Sequence, residues 1–411
     1  MKENYLKKTK SVAFSIAFCL FALTIVVSCR YPYSPEPEDA LILSNRNNSE
    51  GSVNVVAING TAQICNPSIS LDTINFPGCM LWLNFSGDLP VNVPDSLKAY
   101  SEKRSLQHDR LSIVDSENTL RWYMKREEFG ADEREELQDP EWAAHPAYIT
   151  CLVSADAQKK WGCYVIHPVS RNKLQICSEG LWQTSTPHVW VAPEAQSSNA
   201  PAEVHYLKNG FADSAAVHEF FGTDEVKVVA GIPENGVLSL YYIDYSTEDR
   251  KLIPLKRPSG KDGWQCESPL ISPDGHWVVY NVYKRTDDYE TYIQKLQPEA
   301  PPILFKDGVS DPHWWRHPED PSLLYVVYQE VPGDNLVYGD FTKKEYLQSG
   351  ELGSTKRQMV RLFFGASSNA ASFLRIGFEE TIVSLPMKGG LSPDGKFLCT
   401  GYDRAFIVEL P

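Results

Sequence analysis

Short apolar runs alternate with polar, turn-rich segments along most of the chain. The clearest example is the apolar run 240–245, which is followed by the polar segment 246–250 and a second apolar run at 251–255. Two such runs around a short polar turn predict an antiparallel β-hairpin. Similar units lie at 163–177 and 291–305. The pattern therefore predicts an all-β domain built of repeated hairpins.

A Ser-Pro-Asp-Gly phrase stands directly before two of the predicted strands. In such a turn Pro pre-sets φ, Gly accepts a positive φ, and the Asp side chain accepts hydrogen bonds from backbone N–H groups. We expect both copies to be structural turns, and their residues are Ser272, Pro273, Asp274, Gly275, Ser392, Pro393, Asp394 and Gly395. A weaker copy of the turn is predicted at His145 and Pro146.

A second phrase also occurs twice. Residues 187–194 and 312–319 share Pro, His, Trp, Pro and Glu at equal spacing. Because the same residue types recur at equivalent positions, the phrase favours a scaffold role, with the indole packed between repeats and the imidazole bonded to a neighbouring strand. Trp314 has no match in the first copy, where Val189 stands.

Internal repetition of a strand-rich unit of about 40 to 50 residues is the sequence signature of a β-propeller, in which each blade is a four-stranded antiparallel sheet. The Ser-Pro-Asp-Gly turns resemble those of TolB-like β-propellers, relatives of the WD-repeat propellers, over residues 140–411. We predict six blades, with seven as the alternative, in residues 51–411. A long interval near 195–222 is expected to be an insertion rather than an extra blade. The last predicted strand, 405–410, needs a partner, and strand 52–57 is expected to close that blade.

Residues 1–28 form a predicted secretory signal. A basic start is followed by an uncharged segment, 11–28, that ends directly before Cys29. This ending resembles the lipobox of bacterial lipoproteins, which implies cleavage before Cys29 and acylation of its thiol. An uncleaved membrane anchor is the alternative. Residues 29–50 are rich in Pro and polar residues and are predicted to form a tether. Arg30, in place of the Asp that retains lipoproteins at the inner membrane, implies the outer membrane of a Gram-negative bacterium.

Composition and charge indicate which classes of partner the protein can bind. The net charge is −14 at pH 7, and 42% of the residues are hydrophobic, a balance typical of a folded acidic domain. Nucleic-acid binding needs clustered Lys and Arg, and no such run follows the first ten residues. The sequence therefore predicts no nucleic-acid partner. The N-terminal lipid, rather than a basic patch, would hold the domain to the membrane.

The cysteines fit an exported domain but are odd in number. Seven would remain after signal cleavage and acylation, so at least one is unpaired within a monomer. If the connecting loops are symmetric, Cys151, Cys163 and Cys177 fall opposite one another on three adjacent strands. One pair among them could then form a disulfide. Buried free thiols are the alternative.

Motifs of known catalytic chemistry are absent from the sequence. It contains no Gly-x-Ser-x-Gly elbow, His-Glu-x-x-His, P-loop or Gly-x-Gly-x-x-Gly, and it has no Cys-x-x-Cys pair for a zinc ribbon. We therefore predict no catalytic residue, metal or cofactor. An exposed ligand surface is predicted at Trp314 and, within the inserted segment, at His205 and His218.

Two functions follow from these patterns. The first is a lipid-anchored, non-catalytic binding or scaffold propeller that takes an envelope protein or a polysaccharide at one mouth of its channel. The second is a propeller glycosidase or polysaccharide lyase. A glycosidase needs two carboxylates about 5 to 9.5 Å apart across the scissile bond. The sequence favours binding because binding needs no catalytic pair, and it does not indicate an oligomeric state.

Overall fold

The computed structural model describes residues 54–58, 64–84, 91–100, 108–131, 135–154, 161–178, 185–284, 289–307, 309–316, 318, 321, 324–330, 335–340, 362–366, 372–376, 382–384, 389–401 and 405–409. The predicted signal, Cys29 and the tether lie outside these residues. In the described part of the chain, no helix is long and apolar enough to cross a bilayer.

The described strands form six antiparallel sheets, of which four contain four consecutive strands each. Sheet I contains β2 (Ile64–Ile69), β3 (Met80–Asn84), β4 (Arg110–Val114) and β5 (Leu120–Lys125). Sheet II contains β6 (Leu137–Trp142), β7 (Ile149–Ser154), β8 (Trp161–Ile166) and β9 (Lys173–Cys177). Sheet III contains β10 (Ser185–Val191), β11 (Val226–Glu234), β12 (Val237–Asp244) and β13 (Ile253–Pro254). Sheet IV contains β14 (Gln265–Ile271), β15 (Trp277–Tyr283), β16 (Tyr289–Lys295) and β17 (Ile303–Asp307).

The other two sheets depart from this plan. Sheet V has six strands, β18 (Val309–Arg316), β19 (Leu324–Glu330), β20 (Asn335–Asp340), β21 (Leu362–Ala366), β22 (Ser372–Ile376) and β23 (Ile382–Ser384). Sheet VI combines the two ends of the domain, with β24 (Gly389–Leu391), β25 (Phe397–Gly401) and β26 (Ala405–Glu409) next to β1 (Asn54–Ile58). The strand expected at 52–57 is β1, and it pairs antiparallel with β26.

The first strands of the sheets form a closed ring. We call β2, β6, β10, β14, β18 and β24 the inner strands, because each contacts the next in this order and β24 contacts β2 again. The fold is thus an all-β propeller with four-stranded antiparallel blades, as the sequence predicts. The count of six blades stays a prediction, because sheet V has six strands rather than four.

Apolar clusters lie between neighbouring sheets. One joins Ile69 and Met80 of sheet I to Cys399 and Ile407 of sheet VI, and all four side chains are buried. Others pack sheet III against sheet IV and sheet IV against sheet V. Burial of these faces stabilises each blade through its neighbours, since a lone blade cannot cover its own apolar surface.

The insertion expected near 195–222 is confirmed. It lies in the connection from β10 to β11 and carries helix α1 (Ser214–Phe221), not an extra sheet. The helix begins where the Asp213 side chain accepts a 2.9 Å hydrogen bond from the Ala216 N–H, a typical N-cap. Its buried residues, Ala216, Val217, Phe220 and Phe221, join the core between sheets II and III. Two short 3-10 helices lie at Asp95–Tyr100 and Arg126–Phe129.

The structure corrects the predicted alignment of three cysteines. Cys163 and Cys177 are register partners, but Cys151 lies opposite Tyr164. The reason lies in the pairing of β7 with β8: Ser154 pairs with Trp161, one residue later than the predicted alignment requires, so Leu152 rather than Cys151 faces Cys163. All three thiols are buried and free, and burial raises the pKa of each. They therefore form no disulfide in this structure and act as small apolar side chains.

Candidate functional site

A β-bulge recurs at the same place on five of the inner strands. On each of these strands the register shifts against the second strand of the sheet. The first residue paired after the shift lines the central cavity in every case. These residues are Ser68, Glu141, His188, Leu270 and His313. On β24 the matching residue is Gly390, which stands two positions before Ser392 as Leu270 stands two before Ser272. We call these six residues the floor ring.

The floor ring lines one cavity of about 310 Å³ in the channel. Its volume lies within the range of small-molecule pockets, about 300 to 1,000 Å³. The cavity extends from the floor ring to the turns at the ends of the inner strands, where Pro146, Pro193, Pro273 and Pro393 line it. The wall between the floor ring and the turns is largely apolar, and the ionisable side chains of the described lining are Glu141, His145, His188, His313 and Arg316.

Glu141 is the carboxylate of the floor ring. Its Oε1 accepts hydrogen bonds from the Ser68 hydroxyl and, at 3.2 Å, from the Trp142 N–H. Its Oε2 lies 3.7 Å from Nε2 of His313. Burial raises the pKa of Glu141, but the His313 and Ser68 side chains outweigh burial and hold that pKa below its ordinary value. Glu141 is therefore an ionised carboxylate inside the channel.

His188 is a neutral bridge between three inner strands. Its Nδ1 accepts a 3.0 Å hydrogen bond from the Ile271 N–H of β14, so Nε2 carries the proton and donates to the Trp142 carbonyl of β6 at 3.1 Å. Burial lowers the pKa of His188 to about 4, against the opposing charge of Glu141. Both nitrogens are occupied, which supports the predicted structural role of this histidine.

The repeated tryptophans also join neighbouring sheets. Trp190 Nε1 donates to the Pro273 carbonyl at 3.2 Å, and Trp315 Nε1 donates to the Ser392 carbonyl at 2.9 Å. Each indole thus bonds to the Ser-Pro-Asp-Gly turn of the next sheet in the ring. Within each turn the Asp side chain accepts from the backbone N–H two residues later, at 3.1 Å in both copies.

Trp314 and Arg316 lie on β18 and line the cavity with the floor ring. Trp314 is half-buried, and its Nε1 donates to the Leu270 carbonyl at 2.8 Å. Arg316 is half-buried as well, but its Nε is inaccessible to water and has no hydrogen-bond partner among the described residues. An unmade hydrogen bond of a buried donor is costly, and no described residue supplies the acceptor for this Nε.

Of the three predicted ligand-surface residues, the structure places Trp314 in the cavity. His205 and His218 lie outside its lining and are 67% and 61% exposed. His205 faces Glu203 at 3.5 Å, and His218 faces Asp224 at 3.2 Å. The predicted surface is therefore not a single site.

The sequence interpretation missed Ser68, Glu141 and Arg316. A turn at His145 and Pro146 makes Pro146 the counterpart of Pro273. The hydrogen bonds show otherwise: the Ala143 N–H donates to the Tyr148 carbonyl as the Ser272 N–H donates to the Trp277 carbonyl, so Ala143 is the counterpart of Ser272. The turn therefore begins two residues earlier than the sequence predicts. Counting back two positions from the corrected turn leads to Glu141, which would have matched it with the floor ring.

The donor set of the cavity is limited in its described part. In the described residues, no group of three or more His, Cys, Asp or Glu side chains is placed to hold a metal ion. Among the described residues that line the cavity, Glu141 is the single carboxylate. The arrangement can bind donors at Glu141, acceptors at Arg316 and apolar groups along the wall.

No family model matches the chain, and no curated protein matches it. It is similar to TolB proteins and other solved β-propeller structures. TolB from Acinetobacter baumannii is 11% identical over 82% of this chain and 64% of its own length, with a TM-score of 0.41. A putative TolB from Agrobacterium tumefaciens is 13% identical over 89% of this chain and 99% of its own, with a TM-score of 0.38. An oligogalacturonate lyase in complex with manganese is 11% identical over 82% of this chain and 74% of its own length, with a TM-score of 0.38. The chain thus spans less than two thirds of the Acinetobacter protein. These likenesses concern the fold and carry no argument about function.

Proposed function

We propose that the protein is a non-catalytic binding module that holds a partner from the cell envelope, a protein or a glycan, at the mouth of its channel. The observation that carries this proposal is the cavity, which combines an apolar wall, the ionised Glu141 and an Arg316 Nε that has no hydrogen-bond partner in the described part of the chain. Concave, mostly apolar sites with a few convergent polar groups are the usual form of binding sites.

The cavity favours binding over glycoside hydrolysis. Hydrolysis needs a second carboxylate about 5 to 9.5 Å from the first, and the described lining residues supply Glu141 alone. Glu141 is moreover held ionised, whereas a general acid needs a raised pKa. The proposal therefore assigns no catalytic residue.

The proposal includes an N-terminal lipid on Cys29 and a place at the outer membrane. A lipid anchor with a tether would keep the acidic domain at the surface without a basic patch, in line with the net charge of −14. Acylation would be tested by metabolic labelling with an alkynyl fatty acid. Label is expected on the native chain and not on a Cys29→Ala variant.

The binding proposal is tested with the full-length protein in detergent, by affinity capture from envelope extracts and by titration of a polysaccharide panel. Trp314→Ala is expected to weaken capture of the partner at least tenfold. Trp277→Ala is the matched control, because both indoles are half-buried against the same apolar cluster but Trp277 lies outside the cavity. Equal binding by the two variants would refute a binding site at this cavity.

A further inference from the structure

The floor of the cavity is suited to a cation. Oε1 of Glu141 already accepts two hydrogen bonds, but a carboxylate has about four lone-pair sites. Oε2 faces His313 at 3.7 Å, which is beyond hydrogen-bond distance and leaves room for another donor. Burial lowers the pKa of His188 and keeps it neutral, with its Nδ1 accepting from the Ile271 N–H. Among the described residues that line the cavity Glu141 is the single carboxylate, and it is the acidic group of the floor.

The path from the mouth to the floor is apolar. Ile69, Leu71, Ile271 and Leu391 line it together with Trp314. His313 and Arg316 are three residues apart on β18, so floor and mouth are separated by about 10 Å at 3.3 Å per residue. A group that reaches Glu141 from the mouth must therefore combine a long apolar stem with a polar tip, the design of lysine and arginine side chains.

The mouth is suited to an oxygen acceptor. The guanidinium of Arg316 presents donors in a planar fork that matches carboxylate and carbonyl oxygens. Because its buried Nε has no partner among the described residues, a carbonyl or carboxylate oxygen there would make a hydrogen bond that those residues do not make. One ligand would therefore place a cationic group at the floor and an oxygen acceptor at the mouth.

We propose that the cavity takes a lysine or arginine side chain of a protein partner, with its cationic tip at Glu141 and a main-chain or C-terminal oxygen of the same residue near Arg316. The inference rests on the proposed binding function and selects a protein partner over a glycan. Charge complementarity at both ends and the apolar stem between them carry the choice, because a neutral sugar has hydroxyl groups where the wall is apolar.

The test uses small probes on the full-length wild-type protein, by isothermal titration calorimetry at pH 7.5. Nα-acetyl-lysine has the stem, the ammonium and a carboxylate, whereas Nα-acetyl-norleucine lacks the ammonium. We expect Nα-acetyl-lysine to bind at least tenfold more tightly. Its amide, which lacks the carboxylate, is expected to bind more weakly than the acid. Equal affinities of the lysine and norleucine probes, no binding of either, or tighter binding of N-acetylglucosamine would each overturn the inference.

Variants locate the probe. Glu141→Gln is expected to remove the preference for lysine over norleucine, and Arg316→Gln to remove the preference for the acid over the amide. Glu290→Gln is the matched control, because Glu290 is 16% exposed against 18% for Glu141 and lies outside the cavity. If Glu141→Gln keeps the lysine preference, the inference is wrong. Thermal melts identify an unfolded variant, and the wild-type probe comparison decides the question in that case.

The two proposals fail in different ways. If a captured partner needs Trp314 but binds Glu141→Gln as tightly as wild type, the cavity binds something other than a cationic tip. The proposed function then stands and the inference falls. If the partner is indifferent to Trp314, the binding proposal itself falls, whatever the probes show.

Discussion

Replacing Gly275 with alanine tests whether the contact between sheets III and IV holds the ring together. Gly275 has φ +73°, and a Cβ built there would lie 2.5 Å from Cε2 of Trp190. Carbon atoms in contact are normally about 3.5 to 4.0 Å apart, so the indole would have to move by about 1 Å. It is held there by its bond to the Pro273 carbonyl and by Lys227, whose Nζ lies 5.2 Å from the ring centroid and donates to the Gly275 carbonyl at 2.8 Å.

The size of the effect follows from three costs. A left-handed backbone costs a non-glycine residue roughly 1 to 2 kcal/mol. Loss of the indole hydrogen bond costs about 1 kcal/mol, and overpacking of a well-filled contact costs about 1 to 3 kcal/mol. We therefore expect Gly275→Ala to lower the free energy of unfolding by roughly 3 to 6 kcal/mol, which is a large effect for one methyl group.

Urea unfolding of the full-length protein, followed by circular dichroism, measures this free energy. Gly236→Ala is the control, because Gly236 has φ +83° but nothing within 4 Å of an added Cβ. It should lose only the backbone cost, roughly 1 to 2 kcal/mol. If the two variants are equally destabilised, Trp190 has room to move and the packing argument is refuted.

Three further predictions concern stability. Because the pKa of buried His188 is about 4 in the folded chain and 6.5 ordinarily, the unfolded state binds the extra proton. Stability should fall as pH drops from about 6.5 toward 4, by up to about 3 kcal/mol. Urea midpoints across this range should be less pH-dependent in His188→Gln, and an unchanged slope would contradict the assignment. Tyr245→Phe removes a buried 2.9 Å bond to a carbonyl and should cost about 1 kcal/mol. Asp213→Ala removes the cap of α1 and should also cost about 1 kcal/mol, whereas Asp213→Asn should retain most of it; equal losses would exclude capping as the cause.

The predictable part of this fold is local. All but the last residue of the apolar run at 240–245 lie in β12, and the polar segment after it lies between β12 and β13, because period and turn composition act within a few residues. The Ser-Pro-Asp-Gly turns are local for the same reason. The cysteine alignment was wrong because β7 and β8 pair one residue out of the expected register, with Leu152 opposite Cys163, and the residue pattern of the strands does not reveal such an offset.

The site was harder to predict because it is assembled from distant positions. Ser68, Glu141 and His313 come from three inner strands, and no short motif links them. Each stands just after a bulge, a backbone feature with no fixed residue type. Arg316 differs again, since its importance lies in an Nε without a hydrogen-bond partner among the residues that the structure describes, a property that depends on three-dimensional surroundings and not on a sequence motif.

The pairing of β1 with β26 has a consequence for how the chain folds. Residue 58 must pair with residue 405, so the contact that closes the ring joins strands separated by nearly the whole length of the domain. Contacts that distant slow folding, because the chain entropy is lost before the contact is made. A chain still emerging from a ribosome or a translocation pore has β1 without its partner. The domain therefore reaches its native state only when β26 is complete and pairs with β1. A polypeptide shortened by a few C-terminal residues would leave two strand edges open to aggregation.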